Sequence, residues 1–137
     1  MEAVAEMVRL QFREEAPWLP VAESKLRRSV ELCHSRQGII LSCDEHGAPV
    51  GTIGIVTDEP FWSGRVWMIA LWHYVRQPNR QECHMRTMLQ AARVAARKLH
   101  APLRIECWTG ERTKGKIGLF RRELTGDASG ALFLVRD

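Results

Sequence analysis

The chain predicts an α/β fold in which helices cover both faces of a mixed sheet, and three observations carry that reading. Val66–Val75 (VWMIALWHYV) is apolar on both alternating faces, which suits a strand in the middle of a sheet and not one at its edge. Gln81–Leu99 has the period of an amphipathic helix, with Met85, Met88, Leu89, Ala92, Ala95, Ala96 and Leu99 on one stripe. Another strand, Leu103–Trp108, follows it at once. One helix between adjacent strands calls for a mixed sheet with cover on both sides.

The remaining elements follow in chain order. Val4, Met7, Val8, Leu10 and Phe12 predict a helix over residues 1–16 that ends before Pro17. Trp18-Leu19-Pro20 is a linker or hydrophobic plug. A second helix is expected from about Ala22 to His34, with Leu26, Val30 and Cys33 inward and Lys25, Arg27 and Arg28 in solvent. Gly38–Cys43 reads as a strand, and Asp44-Glu45-His46-Gly47 as a tight turn in which glycine supplies the positive φ. Val50–Val56 (VGTIGIV) is the return strand, its glycines marking a bulge or a close backbone neighbour. Asp58–Gly64 is a loop displaying Phe61 and Trp62. Arg86, Gln90, Arg93 and Arg97 recur opposite the apolar stripe of the long helix and are expected to face solvent. A short helix is expected within Lys116–Glu123 and a closing strand at Ala131–Arg136. The order is α-α-β-β-β-α-β-α-β, in one domain spanning residues 1–137.

Composition narrows the classes. A hydrophobic share of 45% and a charged share of 26% are ordinary for a globular protein. No apolar run approaches the ~18–20 residues that a membrane span requires, and the acidic start MEAVAEM has no signal-peptide core, so a cytoplasmic protein without a membrane partner is expected. Cys33, Cys43, Cys83 and Cys107 are widely spaced, form no CxxC pair and are read as reduced thiols. Cys33-His34 and Cys83-His84 lack a second ligand pair at finger-like spacing, so no metal site is assigned. The net charge of +4 suits a polyanionic ligand such as coenzyme A, nucleic acid or an acidic protein. Arg112, Lys114, Lys116, Arg121 and Arg122 would be the nucleic-acid contacts, but no recognised nucleic-acid motif accompanies them.

The junction between the central strand and the long helix, Arg80–Leu89 (RQECHMRTML), resembles the acyl-CoA pyrophosphate loop of the GNAT N-acetyltransferase superfamily. Four further stretches support the resemblance. Asp44–Gly51 (DEHGAPVG) is similar to the family's hairpin, with an acidic-Gly turn and a Val-Gly start to the next strand. Leu71–Arg80 (LWHYVRQPNR) resembles its fourth strand's end, commonly Val-x-Pro-x-x-Arg. Met85–Leu99 and Leu103–Trp108 match the following helix and strand. The match runs in order over roughly 100 residues, and its style is nearest to GNAT-like proteins encoded by bacteriophages.

The resemblance implies a GNAT-like acyl-CoA N-acyltransferase fold, with acetyl-CoA as cosubstrate and a small-molecule or protein amine as acceptor. A strand end splayed from its neighbour would present main-chain N–H near Tyr74, Val75 or Arg76 to the thioester. The pyrophosphate would rest on Arg80, Gln81, Glu82, Cys83, His84, Met85 and Arg86 at the positive end of the helix. The family motif Arg/Gln-x-x-Gly-x-Gly/Ala keeps its first member in Arg80, but Gln81, Cys83 and Met85 replace its small residues. An acceptor amine must lose a proton, for which His73 and Glu106 are candidates. Each has a plainer reading: His73 as a satisfied core histidine, Glu106 as a partner of Arg104. The family's tyrosine position holds Phe120, which cannot protonate a leaving thiolate, and Tyr74 is the remaining candidate acid.

The same departures imply a second function class. A catalytically silent GNAT-like protein would keep the scaffold for assembly, as a phage virion component, an accessory subunit or a homo-oligomer. Its location would be the host cytoplasm or the virion. Exposed aromatics such as Trp18 and Trp62 suit protein contacts.

Overall fold

Short-range pattern gives the elements, and a bulge in the central strand arranges them. The computed structural model describes residues 1–107 and 113–124. It contains α1 (Glu2–Glu15), α2 (Glu23–Ser35), β1 (Ile39–Cys43), β2 (Pro49–Asp58), β3 (Trp67–Val75), a 3₁₀ turn (Gln77–Asn79), α3 (His84–Lys98), β4 (Leu103–Ile105) and α4 (Thr113–Leu124). The expected closing strand Ala131–Arg136, Trp108 and Arg112 lie outside the described residues. No helix among the described residues is long and apolar enough to cross a membrane.

The four strands form one mixed sheet in the order β1-β2-β3-β4, antiparallel except for the parallel β3–β4 pair. Gly47 turns β1 into β2 at φ +79°, a conformation that side chains crowd. In β2 and β3, Gly54 faces Trp72 but Ile55 faces Ala70, so Leu71 is an extra residue. An extra residue reverses the in–out alternation beyond it. Met68 and Ala70 therefore point to the α3 side, whereas Trp72 packs with Val4, Val8, Leu26 and Val30 on the α1–α2 side. Beyond the bulge His73 and Val75 face α3 and α4, and Tyr74 faces α1.

Gly54 makes room for the turned indole. A Cβ there would lie 2.1 Å from Trp72, whose ring is buried and donates from Nε1 to Thr52 Oγ1 at 3.2 Å. Gly54→Val is expected to cost about 3 kcal/mol, at the upper end of ordinary overpacking, measured as a lower urea midpoint at unchanged slope. A loss under about 0.5 kcal/mol would mean the indole has space to move.

α3 seats Met88, Leu89, Ala92 and Ala96 against Ile53, Ile55, Met68 and Val75, burial worth about 1.5–3 kcal/mol for each large side chain. It begins at His84, three residues later than the pattern suggested, because the chain after the 3₁₀ residues Gln77–Asn79 runs on in turns, with Glu82 N–H still bonded back to Asn79. The outer stripe of α3 is not simply solvated. Arg86 pairs with the Glu123 carboxylate (3.2 Å), Gln90 donates to it (3.2 Å), and Arg93 donates to the Glu123 carbonyl (3.4 Å), so this stripe clasps α4. On the opposite face Arg9 bonds Glu23 and Arg27, expected in solvent, bonds Glu2, tying α1 to α2.

α2 and α3 end in the same closure. Gly38 N–H bonds Cys33 carbonyl and Gln37 N–H bonds His34, while Ala101 bonds Ala96 and His100 bonds Arg97. This is the six-residue Schellman pattern, with Gln37 (φ 56°) and His100 (φ 50°) at the left-handed position usually held by glycine.

Candidate functional site

Among the described residues β3 and β4 pair at Met68↔Leu103, Ile69↔Arg104 and Ala70↔Ile105, and beyond Ala70 the pairing partner of β3 is β2. Along β3, successive N–H groups point to opposite edges. Arg76 N–H donates to Val50 carbonyl of β2 (2.8 Å), so His73 and Val75 N–H point the other way, into the gap left by β4. His73 N–H meets Gln11 Oε1 from α1 (3.1 Å). The gap opens directly ahead of the 3₁₀ turn and α3.

Two polar clusters line this parting. In the first, the buried His73 ring spans the gap: Nε2–H donates to the Glu106 carbonyl (2.7 Å), leaving Nδ1 to accept from Lys116 Nζ (3.1 Å). Lys116 also reaches Glu15 Oε1 (3.3 Å), and Gln11 Nε2–H donates to Glu15 Oε2 (3.0 Å). The Glu15 side chain is only 3% exposed. Phe120 stands edge-on to the imidazole, its ring centre 5.1 Å away. Burial first, and the Lys116 charge second, push the His73 imidazole down to about 3, so it is neutral at ordinary pH. Cys107, beside this cluster, is pushed up to about 11 by burial and stays a thiol.

The second cluster holds Tyr74. Its hydroxyl donates to Glu14 Oε1 (2.8 Å), and burial, with Glu14 second, pushes the phenol up to about 12. Arg80 lies over the ring with its guanidinium 5.3 Å from the centre, pairs with Glu14, and donates from Nε to Val75 carbonyl (3.0 Å).

The expected site residues are thus placed in three ways. His73 and Tyr74 stand at the gap on opposite faces of β3. Glu106 brings its main-chain carbonyl to His73, while its half-exposed carboxylate pairs with Arg104. Of the loop residues, Gln81, Glu82 and Cys83 are exposed, Met85 packs on the core, and His84 lies against Glu82 and 2.7 Å from the Ser42 hydroxyl. Arg76 pairs with Glu6 (3.0 Å) and Arg86 with Glu123. Gln11, Glu14, Glu15 and Lys116 had not been singled out for this site. Gln11 and Glu15 are four apart on α1 and so share a face, the one sequence signal available for them. Lys116, grouped by sequence with possible nucleic-acid contacts, is turned inward instead.

The start of α3 fits an anion in one respect. Its cap residue Cys83 makes no side-chain capping bond, so the first-turn N–H groups of His84, Met85 and Arg86 have no side-chain acceptor at the cap. No left-handed residue occurs between 76 and 86, so the loop takes this path without glycine. Among the described residues no three His, Cys, Asp or Glu side chains are placed to hold a metal ion.

No protein-family model and no curated protein matches this chain. Solved structures do. A GNAT family acetyltransferase from Staphylococcus aureus is similar at TM-score 0.61 and 12% identity, covering 99% of this chain and 87% of that one. The aminoglycoside 6'-N-acetyltransferase AAC(6')-IG of Acinetobacter haemolyticus gives 0.66 at 8% identity, over 99% and 92%. A chain of the NatC complex bound to Gag peptide and CoA gives 0.68 at 13% identity, over 88% and 73%. At such identities the likeness speaks for architecture. The chain has the fold of the GNAT acetyltransferases.

Proposed function

We propose that this protein is an acyl-CoA-dependent N-acyltransferase that transfers an acetyl group to an amine. The observation that carries the reading is the parting of β3 from β4 beyond Ala70↔Ile105, with the His73 and Val75 N–H edge facing the gap immediately before α3. Acetyl-CoA, when bound, supplies the activated thioester. Val75 N–H would face its carbonyl, and the first-turn N–H groups of α3 would hold its diphosphate, with Arg80 and Arg76 alongside. Arg80 and Arg76 would have to exchange Glu14 and Glu6 for phosphate.

The chain's own groups handle the proton. His73 is neutral but has Nδ1 engaged by Lys116, so it accepts a proton only as Lys116 turns towards Glu15. Tyr74 keeps its proton across the working range and is the candidate donor to a departing thiolate, once its hydroxyl leaves Glu14. Glu106 acts here through its carbonyl, which holds the tautomer of His73.

Calorimetric titration with acetyl-CoA is the test. Binding with thermal stabilisation at millimolar ligand is expected, and neither effect appearing would remove the reading. Glu82 puts a carboxylate beside the proposed phosphate seat, so Glu82→Gln should tighten binding by about three- to fivefold at low salt, the size of an exposed charge contact. Weaker binding by this variant would place the phosphates elsewhere.

A second reading is favoured by the neutralised arginines and by Phe61 and Trp62, which are 101% and 61% exposed on the β2–β3 loop. It is a GNAT-like assembly protein without catalysis, such as a phage virion component or accessory subunit. Failure to bind acetyl-CoA, together with a stable complex in the native particle, would favour it over the enzyme.

A further inference from the structure

The connection between α1 and α2 roofs a groove of about 360 Å³ on the sheet face opposite α3. Phe12 and Leu26 form its walls, and Leu71 and Trp72 its floor. The floor residues follow directly on Ala70, the last residue of β3 that pairs with β4. The bulge is what places Leu71 here, 39% exposed on a strand that is otherwise largely buried. The polar members of the lining are Lys25 and Ser29, and no carboxylate is among them. Arg9 and Arg27 nearby are neutralised by Glu23 and Glu2, whereas Lys25 makes no ion pair among the described residues. An apolar trough with a single uncompensated cation at its rim is complementary to an apolar body carrying one negative group.

We propose that this groove binds an amphipathic carboxylate, its chain or ring lying between Phe12, Leu26 and Trp72 and its acid group held by Lys25. Where this rests on the acyltransferase reading, it names the acceptor class: an apolar amine that also carries an acid, such as a hydrophobic amino acid. A polycationic amine of the aminoglycoside kind meets no carboxylate in this lining and is repelled by Lys25.

Titration of the full chain with decanoate, decylammonium and decanol, without coenzyme, tests the groove separately from acetyl-CoA binding. Decanoate should bind most tightly, with decylammonium about three- to fivefold weaker or more at low salt. Lys25→Glu, at an exposed position, should reverse that order. Ser29→Trp should fill the groove and weaken all three ligands at least about tenfold, its melting temperature confirming the fold. Equal affinity for decanoate and decylammonium, or undiminished decanoate binding by folded Ser29→Trp, would overturn the proposal. Should Ser29→Trp not fold, an unchanged ligand order in Lys25→Glu overturns it alone.

Discussion

Lys116→Leu is expected to destabilise the protein by about 3–5 kcal/mol, the usual consequence of removing one partner from a buried ion pair. The Glu15 side chain is 3% exposed, and of its two oxygens one accepts from Gln11 and the other from Lys116. Leucine in place of the lysine leaves a carboxylate charged, dry and half-satisfied. His73 Nδ1 loses its donor as well. Urea denaturation measures the loss. The double variant Glu15→Gln/Lys116→Leu should recover most of it, because a neutral amide no longer needs the ammonium; the cycle isolates the pair. A single-variant loss below about 1 kcal/mol, the level of a surface pair, would show that water reaches Glu15.

Acid should weaken the fold through His73, and the sign follows from the two states. In the unfolded chain the imidazole takes a proton near its ordinary 6.5; in the folded protein burial, then Lys116, holds it down to about 3. Between those values the unfolded state binds one proton more, so stability falls as pH falls through that window. Above pH 6.5 this group contributes no slope. The accumulated loss by pH 3 is about 4–5 kcal/mol at 1.4 kcal/mol per unit, the largest single effect of pH expected here. Melting curves of wild type and His73→Gln should converge in slope above pH 6.5 and diverge below it, the wild type falling faster. Proton NMR of the imidazole should show it neutral at pH 5, and a folded-state midpoint near 6.5 would refute the assignment.

Residue pattern conveyed the frame well where neighbours in sequence are neighbours in space. The apolar run of β3 marked a central strand and the order of the described elements follows the expected one. The glycines of β2 were read as a bulge or a close backbone neighbour; the extra residue proves to be Leu71 of β3, opposite Gly54, while the group that crowds Gly54 is the Trp72 side chain. Long-range polar contacts were not legible. Glu15 and Lys116 are 101 positions apart, and neither periodicity nor spacing connects them. The outer stripe of α3 looked solvent-facing because helix period reveals two faces and says nothing about a later helix docking on the second. His73 was readable as a satisfied core residue, yet its donor, Lys116, carried the look of a surface charge. At His73 the structure engages the backbone of Glu106, while its carboxylate pairs with Arg104, as the plainer reading expected.

The paired closures after α2 and α3 leave this molecule short of its attainable robustness. A side chain in the left-handed basin carries a penalty of roughly 1–2 kcal/mol per residue that glycine avoids at a helix end. Gln37 and His100 each occupy that basin although neither closing bond requires their side chains. The chain therefore holds two separate points at which it could be hardened against heat without altering either sheet face.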